Sequence, residues 1–184
     1  MHRLHSAISV CFHQNFNEPN HINIHIFVAM AELSNNDIIR RLRYTFDFSD
    51  QQMIDIFQQA DVKTTRSLIS DWLKPETDSA YKIVHDNQLA AFLNGLINLK
   101  RGKREGTQPP IEQKLDNNLI LKKLKIALSL TSEDIVELFK SVDLKVSNSE
   151  VTAFLRNPKQ PKYMPFMDQF LRNFMLGLQK KYRK

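Results

Sequence analysis

The sequence predicts an all-α protein that contains two tandem copies of one four-helix unit. Residues of the first half recur in the second half at a constant offset of 82 positions, without a gap. Apolar residues recur at the three- and four-residue spacing of a helix face. Glycine is scarce, with four among 184 residues, which disfavours a turn-rich β fold.

The repeat involves polar, basic, aromatic and glycine positions alike. The matched segments and residues are Asn35-Asn36 with Asn117-Asn118, Arg40-Arg41-Leu42-Arg43 with Lys122-Lys123-Leu124-Lys125, Asp61 with Asp143, Trp72 with Phe154, Asp86 with Asp168, and Gly95 with Gly177. So many matches in one register are not expected by chance. The two halves are therefore predicted to share one fold.

Helix-start residues divide each unit into four helices. In the first unit, Asn36 is the predicted N-cap of helix one, and Ser49 with Gln52 forms a capping box for helix two. Helix three is expected to begin at Thr65 and helix four at Asp86. The corresponding start residues of helices three and four in the second unit are Ser147, which forms a capping box with Glu150, and Asp168.

Two repeated positions bear on how the helices pack. Gly95 and Gly177 lie inside the predicted fourth helices, where glycine costs about 1 kcal/mol relative to alanine. We therefore predict that another helix approaches closely at both glycines. Trp72 is replaced by Phe154 in the second copy, which indicates two core anchors rather than an aromatic surface on which a ligand stacks.

Composition sets the domain boundaries. Residues 1–29 contain five of the six histidines and the single cysteine, without a sustained helical period. They are predicted to be a non-native or disordered N-terminal extension, with Met30 as the natural start. Repeat 1 is assigned to residues 30–104 and repeat 2 to residues 116–184. The linker between them, residues 105–115, belongs to a segment rich in charge, glycine and proline.

A metal site in the extension is the alternative interpretation of its His and Cys residues. Cys11, His13, His21 and His25 lack the ligand spacing of zinc sites, so no metal is predicted. The repeats themselves contain no cysteine, which suits a reducing cytoplasm. The apolar stretch that ends at Met30 is too short to span a bilayer, so no membrane association is expected.

Two segments carry a family resemblance. Leu33-Ser34-Asn35-Asn36-Asp37-Ile38 and Phe92-Leu93-Asn94-Gly95-Leu96 resemble the YehS-like bacterial family, whose members carry two tandem copies of a domain of unknown function. The resemblance extends from residue 33 to about residue 182. It implies a bacterial, cytoplasmic protein, and it brings no activity, cofactor or catalytic residue.

Helices two and three of each unit resemble a helix-turn-helix. Val146-Ser147 and Phe154-Leu155 stand where many recognition helices have a capped start and an apolar anchor. The turn lacks glycine and is about two residues too long for that motif. A helical hairpin that only packs is the simpler alternative.

Basic clusters are the main functional signal in a chain of net charge +6. A phosphate backbone attracts such clusters through counterion release. The alternative is a solvated surface together with helix C-termini, which favour positive charge. The candidate nucleic-acid-binding residues are Arg40, Arg41, Arg43, Lys100, Arg101, Lys122, Lys123, Lys125, Lys180 and Lys181.

The repeats offer little catalytic chemistry. His85 is their only histidine, so neither a Ser-His-Asp nor a Cys-His set can be assembled, and turn and capping roles explain the repeated carboxylates. No cofactor is predicted. We expect a non-enzymatic helical binding protein that associates with nucleic acid through the basic clusters. Such a protein could act as a regulator. The alternative is a protein-interaction or oligomerisation module, and the sequence leaves the oligomeric state open.

Overall fold

The structure, a computed structural model, describes residues 33–183, and the predicted extension at residues 1–29 lies outside them. All regular secondary structure in the described residues is helical. The helices are α1 (Asn35–Phe46), α2 (Asp50–Gln59), α3 (Arg66–Leu73), α4 (Asp86–Arg101), α5 (Asn117–Ala127), α6 (Ser132–Lys140), α7 (Asn148–Phe154) and α8 (Asp168–Tyr182). Each helix of the second repeat begins 82 residues after its counterpart in the first. The all-α fold and the tandem repeat are confirmed.

Capping side chains set most helix starts as predicted, with one correction at α1. The capping boxes at Ser49 and Ser147 are present, and the Thr65 side chain caps α3. The N-cap of α1 is Ser34 rather than Asn36. Ser34 Oγ accepts a hydrogen bond from the Asp37 backbone N–H at 3.1 Å, and Asp37 accepts one from the Ser34 backbone N–H at 3.2 Å.

Asn36 instead forms a buried hydrogen-bond network within repeat 1. Its Nδ2 donates to the carbonyl oxygens of Trp72 at 2.9 Å and Lys82 at 2.8 Å. Its Oδ1 accepts from the backbone N–H of Val84 at 2.9 Å. Asn118 makes the equivalent three bonds in repeat 2, to Phe154, Met164 and Phe166. A buried amide without hydrogen-bond partners would destabilise the fold. These hydrogen bonds therefore hold the end of α3 and the segment before α4 against the start of α1.

Aromatic clusters fill the interior of each repeat. In repeat 1, the ring of Phe57 lies 5.4 Å from that of Trp72 and 5.5 Å from that of Phe92, between centroids. In repeat 2, Phe154 packs against Phe166 with centroids 5.0 Å apart. Trp72 and Phe154 are both buried, so the two predicted core anchors lie within the cores of their repeats.

The two repeats pack reciprocally against each other. Helix α1 contacts α8, and α4 contacts α5. Because α5 and α8 are the counterparts of α1 and α4, these are two copies of one interface. A linear stack of repeats would make only one of them, whereas a pseudo-twofold axis makes both. Side-chain contacts repeat accordingly: Arg183 donates to Asp47 at 2.9 Å, and Arg101, its counterpart, donates to Ser129 at 2.7 Å.

Helices α4 and α5 run in the same direction. The Leu115 backbone N–H, just before α5, donates to Asp86 at the start of α4 at 3.2 Å. Lys123 in the middle of α5 contacts Asn94 in the middle of α4. Arg101 at the end of α4 reaches Ser129, just beyond α5. The C-terminal ends of the two helices therefore lie side by side.

Gly95 and Gly177 lie where a neighbouring helix backbone leaves no room for a side chain. A Cβ atom at Gly95 would overlap the Ile56 carbonyl oxygen and lie 2.8 Å from its carbon. A Cβ atom at Gly177 would lie 2.6 Å from the Leu138 carbonyl oxygen. These contacts bring α2 onto α4 and α6 onto α8.

Gly95→Ala and Gly177→Ala should each lower the free energy of unfolding, by about 1–3 kcal/mol, because the added methyl group forces helix backbones apart. The loss should be larger for Gly95, where the overlap is more severe. Urea denaturation measures both. Asn87→Ala, at an exposed position of α4, is the control and should change the value by less than about 0.5 kcal/mol. Two unchanged glycine variants would contradict the close approach.

Candidate nucleic-acid interface

The reciprocal packing places the predicted basic residues other than Lys123 on two contacting helix pairs, each of which is called a cluster below. The α1–α8 cluster joins the end of α1 to the end of α8 and contains Arg40, Arg41, Arg43, Lys180, Lys181 and Arg183. The α4–α5 cluster joins the end of α4 to α5 and contains Lys100, Arg101, Lys122 and Lys125. Each cluster therefore contains residues of both repeats.

In the α1–α8 cluster, Arg183 is the residue that connects the two helices. Its guanidinium carbon lies 4.1 Å from the centroid of the Tyr44 ring, in cation–π geometry. Arg40, Arg43 and Arg183 line one open surface cavity of about 330 Å³. The contact of Arg183 with Tyr44 could not be predicted from the sequence, because nothing in the sequence shows that the C-terminus lies beside α1.

Acidic side chains offset most of the charge of the α1–α8 cluster. The ion pairs are Arg40–Asp37 at 3.2 Å, Arg43–Asp50 at 2.8 Å, Arg183–Asp47 at 2.9 Å and Lys181–Asp134 at 3.3 Å. Lys180 donates to the carbonyl oxygen of Ser141, beyond the end of α6, at 2.6 Å. These cations are already partnered within the fold, so they attract an external anion less strongly.

The α4–α5 cluster keeps its charge available. Lys100, Arg101 and Lys122 are exposed, and Lys125 is partly exposed. Within residues 33–183, none of these four side chains forms a salt bridge, and the hydroxyl partner of Arg101 at Ser129 is uncharged. The cluster therefore presents four cations that no carboxylate offsets.

Lys123 does not belong to this exposed surface, and its prediction as a nucleic-acid-binding residue is wrong. Its side chain is buried, with 6% of the residue exposed. Its Nζ lies 2.5 Å from Glu112 Oε1 and 2.5 Å from Asn94 Oδ1. The helical pattern of α5 placed Lys123 beside Lys122, but α4 and the linker cover this side of α5.

The Lys123–Glu112 pair joins the linker to the interface between the repeats. Burial alone raises the pKa of Glu112. The hydrogen bond and the positive charge of Lys123, with a further hydrogen bond from Asn94, outweigh burial and bring this pKa below its ordinary value of 4.5. The carboxylate is therefore ionised at neutral pH, and the buried ammonium has its counterion.

The hairpins formed by α2 with α3 and by α6 with α7 contain none of the predicted basic residues. Six residues separate α2 from α3, more than the three or four of a helix-turn-helix. On α3, Arg66, Ser67 and Ser70 are exposed. Asp71 is buried and pairs with Lys82 at 2.9 Å. The helix-turn-helix resemblance stays an expectation from the sequence, with a hairpin that only packs as the simpler alternative.

The repeated carboxylates have structural partners. Asp61 and Asp143 occupy equivalent turns with positive φ values of 58° and 60°, a conformation that aspartate tolerates well. Asp86 accepts a hydrogen bond from Asn35 at 2.9 Å, and Asp168 accepts the equivalent bond from Asn117 at 2.6 Å. The hydrogen bond from Asn35, with a further one from the Leu115 backbone, lowers the pKa of Asp86.

Residues 33–183 contain no group of three His, Cys, Asp or Glu side chains placed to hold a metal ion. None of the helices in that range combines the length and the apolar character needed to cross a membrane.

The Lys123–Glu112 pair predicts a defined pH dependence of stability. Because the folded-state pKa of Glu112 is lowered, its contribution is fully present above the ordinary pKa of 4.5. It is lost as pH falls from there through the folded pKa. The difference in unfolding free energy between the wild type and Glu112→Gln should therefore shrink below about pH 4.5.

Urea denaturation across this pH range measures that difference. The exposed linker residue Glu105 provides the control, since Glu105→Gln should differ little from the wild type at any pH. A Glu112→Gln difference that stayed constant from neutral pH to about pH 3 would contradict the charged pair.

Comparison with known proteins gives two matches and one negative result. Residues 35–102 and 117–184 each match the family described as "Protein of unknown function (DUF1456)". The chain is 38% identical over 145 residues to "Uncharacterized protein YehS" of Escherichia coli (strain K12), across 78% of this chain and 92% of that protein. No solved structure matches. The chain therefore belongs to the DUF1456 family and carries two copies of its domain.

Proposed function

We propose that this protein is a non-enzymatic binding protein of the cytoplasm that associates with the phosphate backbone of nucleic acid through the α4–α5 cluster. The observation that supports the proposal is the set of four cations, drawn from both repeats, that no carboxylate offsets. A chain of net charge +6 adds a long-range attraction for polyanions.

The chemistry of the cluster favours binding without sequence preference. Lysine supplies three of its four cations. Lysine contacts phosphate as a point charge, whereas reading a base edge calls for bidentate hydrogen bonds. The Arg40 and Arg43 positions of repeat 1 are lysines in repeat 2, Lys122 and Lys125. The sign of the charge is therefore kept at these positions while the geometry of the side chain changes, which suits a diffuse electrostatic contact. Such binding typically has a dissociation constant of about 10⁻⁴–10⁻⁶ M at physiological salt.

The α1–α8 cluster contributes less to this proposed binding. At three of its arginines, a phosphate contact competes with an intramolecular carboxylate, that of Asp37, Asp47 or Asp50. Breaking an exposed ion pair costs about 0–1 kcal/mol, and this cost reduces the free energy of phosphate binding. Within the part of the chain that the structure describes, the equivalents of these three arginines in the α4–α5 cluster have no carboxylate partner, so the different pairing provides an internal comparison.

A non-enzymatic role is supported by the uses of the polar residues. His85, the only histidine of the repeats, is an exposed residue at the N-cap of α4. The repeated aspartates take part in turns and helix starts. These side chains serve the fold, and the free charge lies elsewhere, on α4 and α5.

The decisive variant replaces Lys100, Arg101, Lys122 and Lys125 with glutamine. Binding of a fluorescent duplex and a single strand is measured by anisotropy at several salt concentrations. For the wild type we expect weak, steeply salt-dependent binding. The variant should bind weakly or not at all, and the slope of log K against log salt should fall by about one for each phosphate contact removed.

A matched control removes the same number of charges at other exposed positions: Lys63, Lys114, Lys145 and Lys159. This control should keep most of the affinity, because only general attraction is reduced. Equal losses in both variants would contradict a defined interface. Absence of wild-type binding at about 100 μM protein, above most of the expected range, would contradict nucleic-acid association itself.

The protein-interaction alternative has one observation in its favour. Leu99 and Ile126 are exposed by 46% and 40% on the two helices that carry the α4–α5 cluster. Apolar residues on a basic surface suit an acidic protein partner or a second copy of the chain. Sedimentation of the wild type, alone and with nucleic acid, distinguishes self-association from the proposed binding.

A further inference from the structure

A cavity of about 210 Å³ lies between α4, α5 and the linker. Its wall is mainly apolar, formed by Ile97 of α4, Pro109 and Ile111 of the linker, and Ile126 of α5. An engineered apolar cavity of about 150 Å³ is large enough to bind benzene. The cavity of this protein therefore has room for a short alkyl chain or a small ring.

The charges around the cavity are not balanced. Lys123 and Glu112 line it, but they offset each other at 2.5 Å. Arg104 also lines the cavity, and its side chain is exposed. Within residues 33–183, the Arg104 guanidinium forms no salt bridge. The cavity thus combines an apolar wall with one cation that has no counterion.

The pseudo-twofold fold does not by itself require this lining. Ile97 corresponds to Gln179 in the second repeat, Asn98 to Lys180, and Ile126 to Tyr44. Lys180 makes the same link to the preceding helix pair as Asn98, since both donate to equivalent carbonyl oxygens, those of Ser141 and Gln59. The scaffold contact is retained at both positions, while the apolar wall occurs on the α4–α5 side.

We propose that this cavity binds a small amphipathic carboxylate. The alkyl part lies against Ile97, Ile111 and Ile126, and the carboxylate pairs with the Arg104 guanidinium at the exposed end. A guanidinium presents paired N–H donors that match a carboxylate. The proposal does not rest on nucleic-acid binding, because Arg104 is not a member of the α4–α5 cluster.

Hexanoate is a suitable probe, with hexanol as the neutral counterpart. The full chain, with its isoleucine δ1 methyl groups labelled, is titrated at neutral pH in the absence of nucleic acid. Hexanoate should produce saturable shifts of the methyl signals of Ile97, Ile111 and Ile126. The core methyl groups of Ile56 and Ile69, which do not line the cavity, should stay unchanged.

Two variants test the two halves of the site. Arg104→Gln should weaken hexanoate binding about tenfold, as expected for loss of a charge-assisted hydrogen bond, and should leave hexanol binding unaltered. Ile126→Trp should fill the cavity and block both probes. Tyr44→Trp introduces the same side chain at the equivalent position of repeat 1 and should bind hexanoate as the wild type does.

Three results would overturn the proposal. The first is the absence of saturable shifts at the three cavity methyl groups. The second is equal affinity for hexanoate and hexanol, which would show that no carboxylate is recognised. The third is unaltered hexanoate binding by Arg104→Gln, a change at an exposed position that leaves the core untouched. Failure of nucleic-acid binding would leave each of these measurements interpretable.

Discussion

The reciprocal packing of α1 on α8 and of α4 on α5 is the constraint on which the other features depend. Each repeat contributes its first helix to one pair and its last helix to the other. Neither basic cluster and neither inter-repeat helix pair exists within a single repeat. The burial of Lys123, the position of the linker and the cavity all follow from the same contact.

Within each repeat, two kinds of contact hold the helices together. The buried amide of Asn36 or Asn118 connects the start of one helix to the end of the third and to the segment before the fourth. The close glycine contacts then bring the second and fourth helices together. These local devices occur twice because the sequence occurs twice. They shape the surfaces that the two repeats present to each other.

Much of this fold can be predicted from the sequence, because helix periodicity, capping residues and an ungapped repeat are all local signals. The glycines also gave a correct expectation, since glycine inside a helix has few other uses. The role of Asn36 could not be predicted, because its partners at Trp72 and Val84 are distant in the sequence. Asparagine is a common N-cap residue, which is why the sequence suggested that role for Asn36. The buried hydrogen bonds to distant backbone groups require the same side chain.

The candidate site was harder to predict for a similar reason. Periodicity indicates which side of a helix is buried in its own repeat, but not what covers the remaining side. Arg41 and Lys123 occupy equivalent positions and carry the same charge, yet Arg41 is half-buried and Lys123 is buried beside Glu112. The difference comes from the linker, which follows α4 and leads into α5. One symmetric scaffold thus carries two unlike surfaces.

The most direct test of the reciprocal packing is a nuclear Overhauser measurement between the rings of Phe46 and Tyr182. The two centroids lie 5.4 Å apart although the residues belong to different repeats. The Phe46 ring also lies 5.5 Å from that of Phe48 in its own repeat, which serves as an internal reference. The packing of α1 on α8 predicts cross-peaks from Phe46 to both rings. A cross-peak to Phe48 without one to Tyr182 would contradict the packing of α1 on α8.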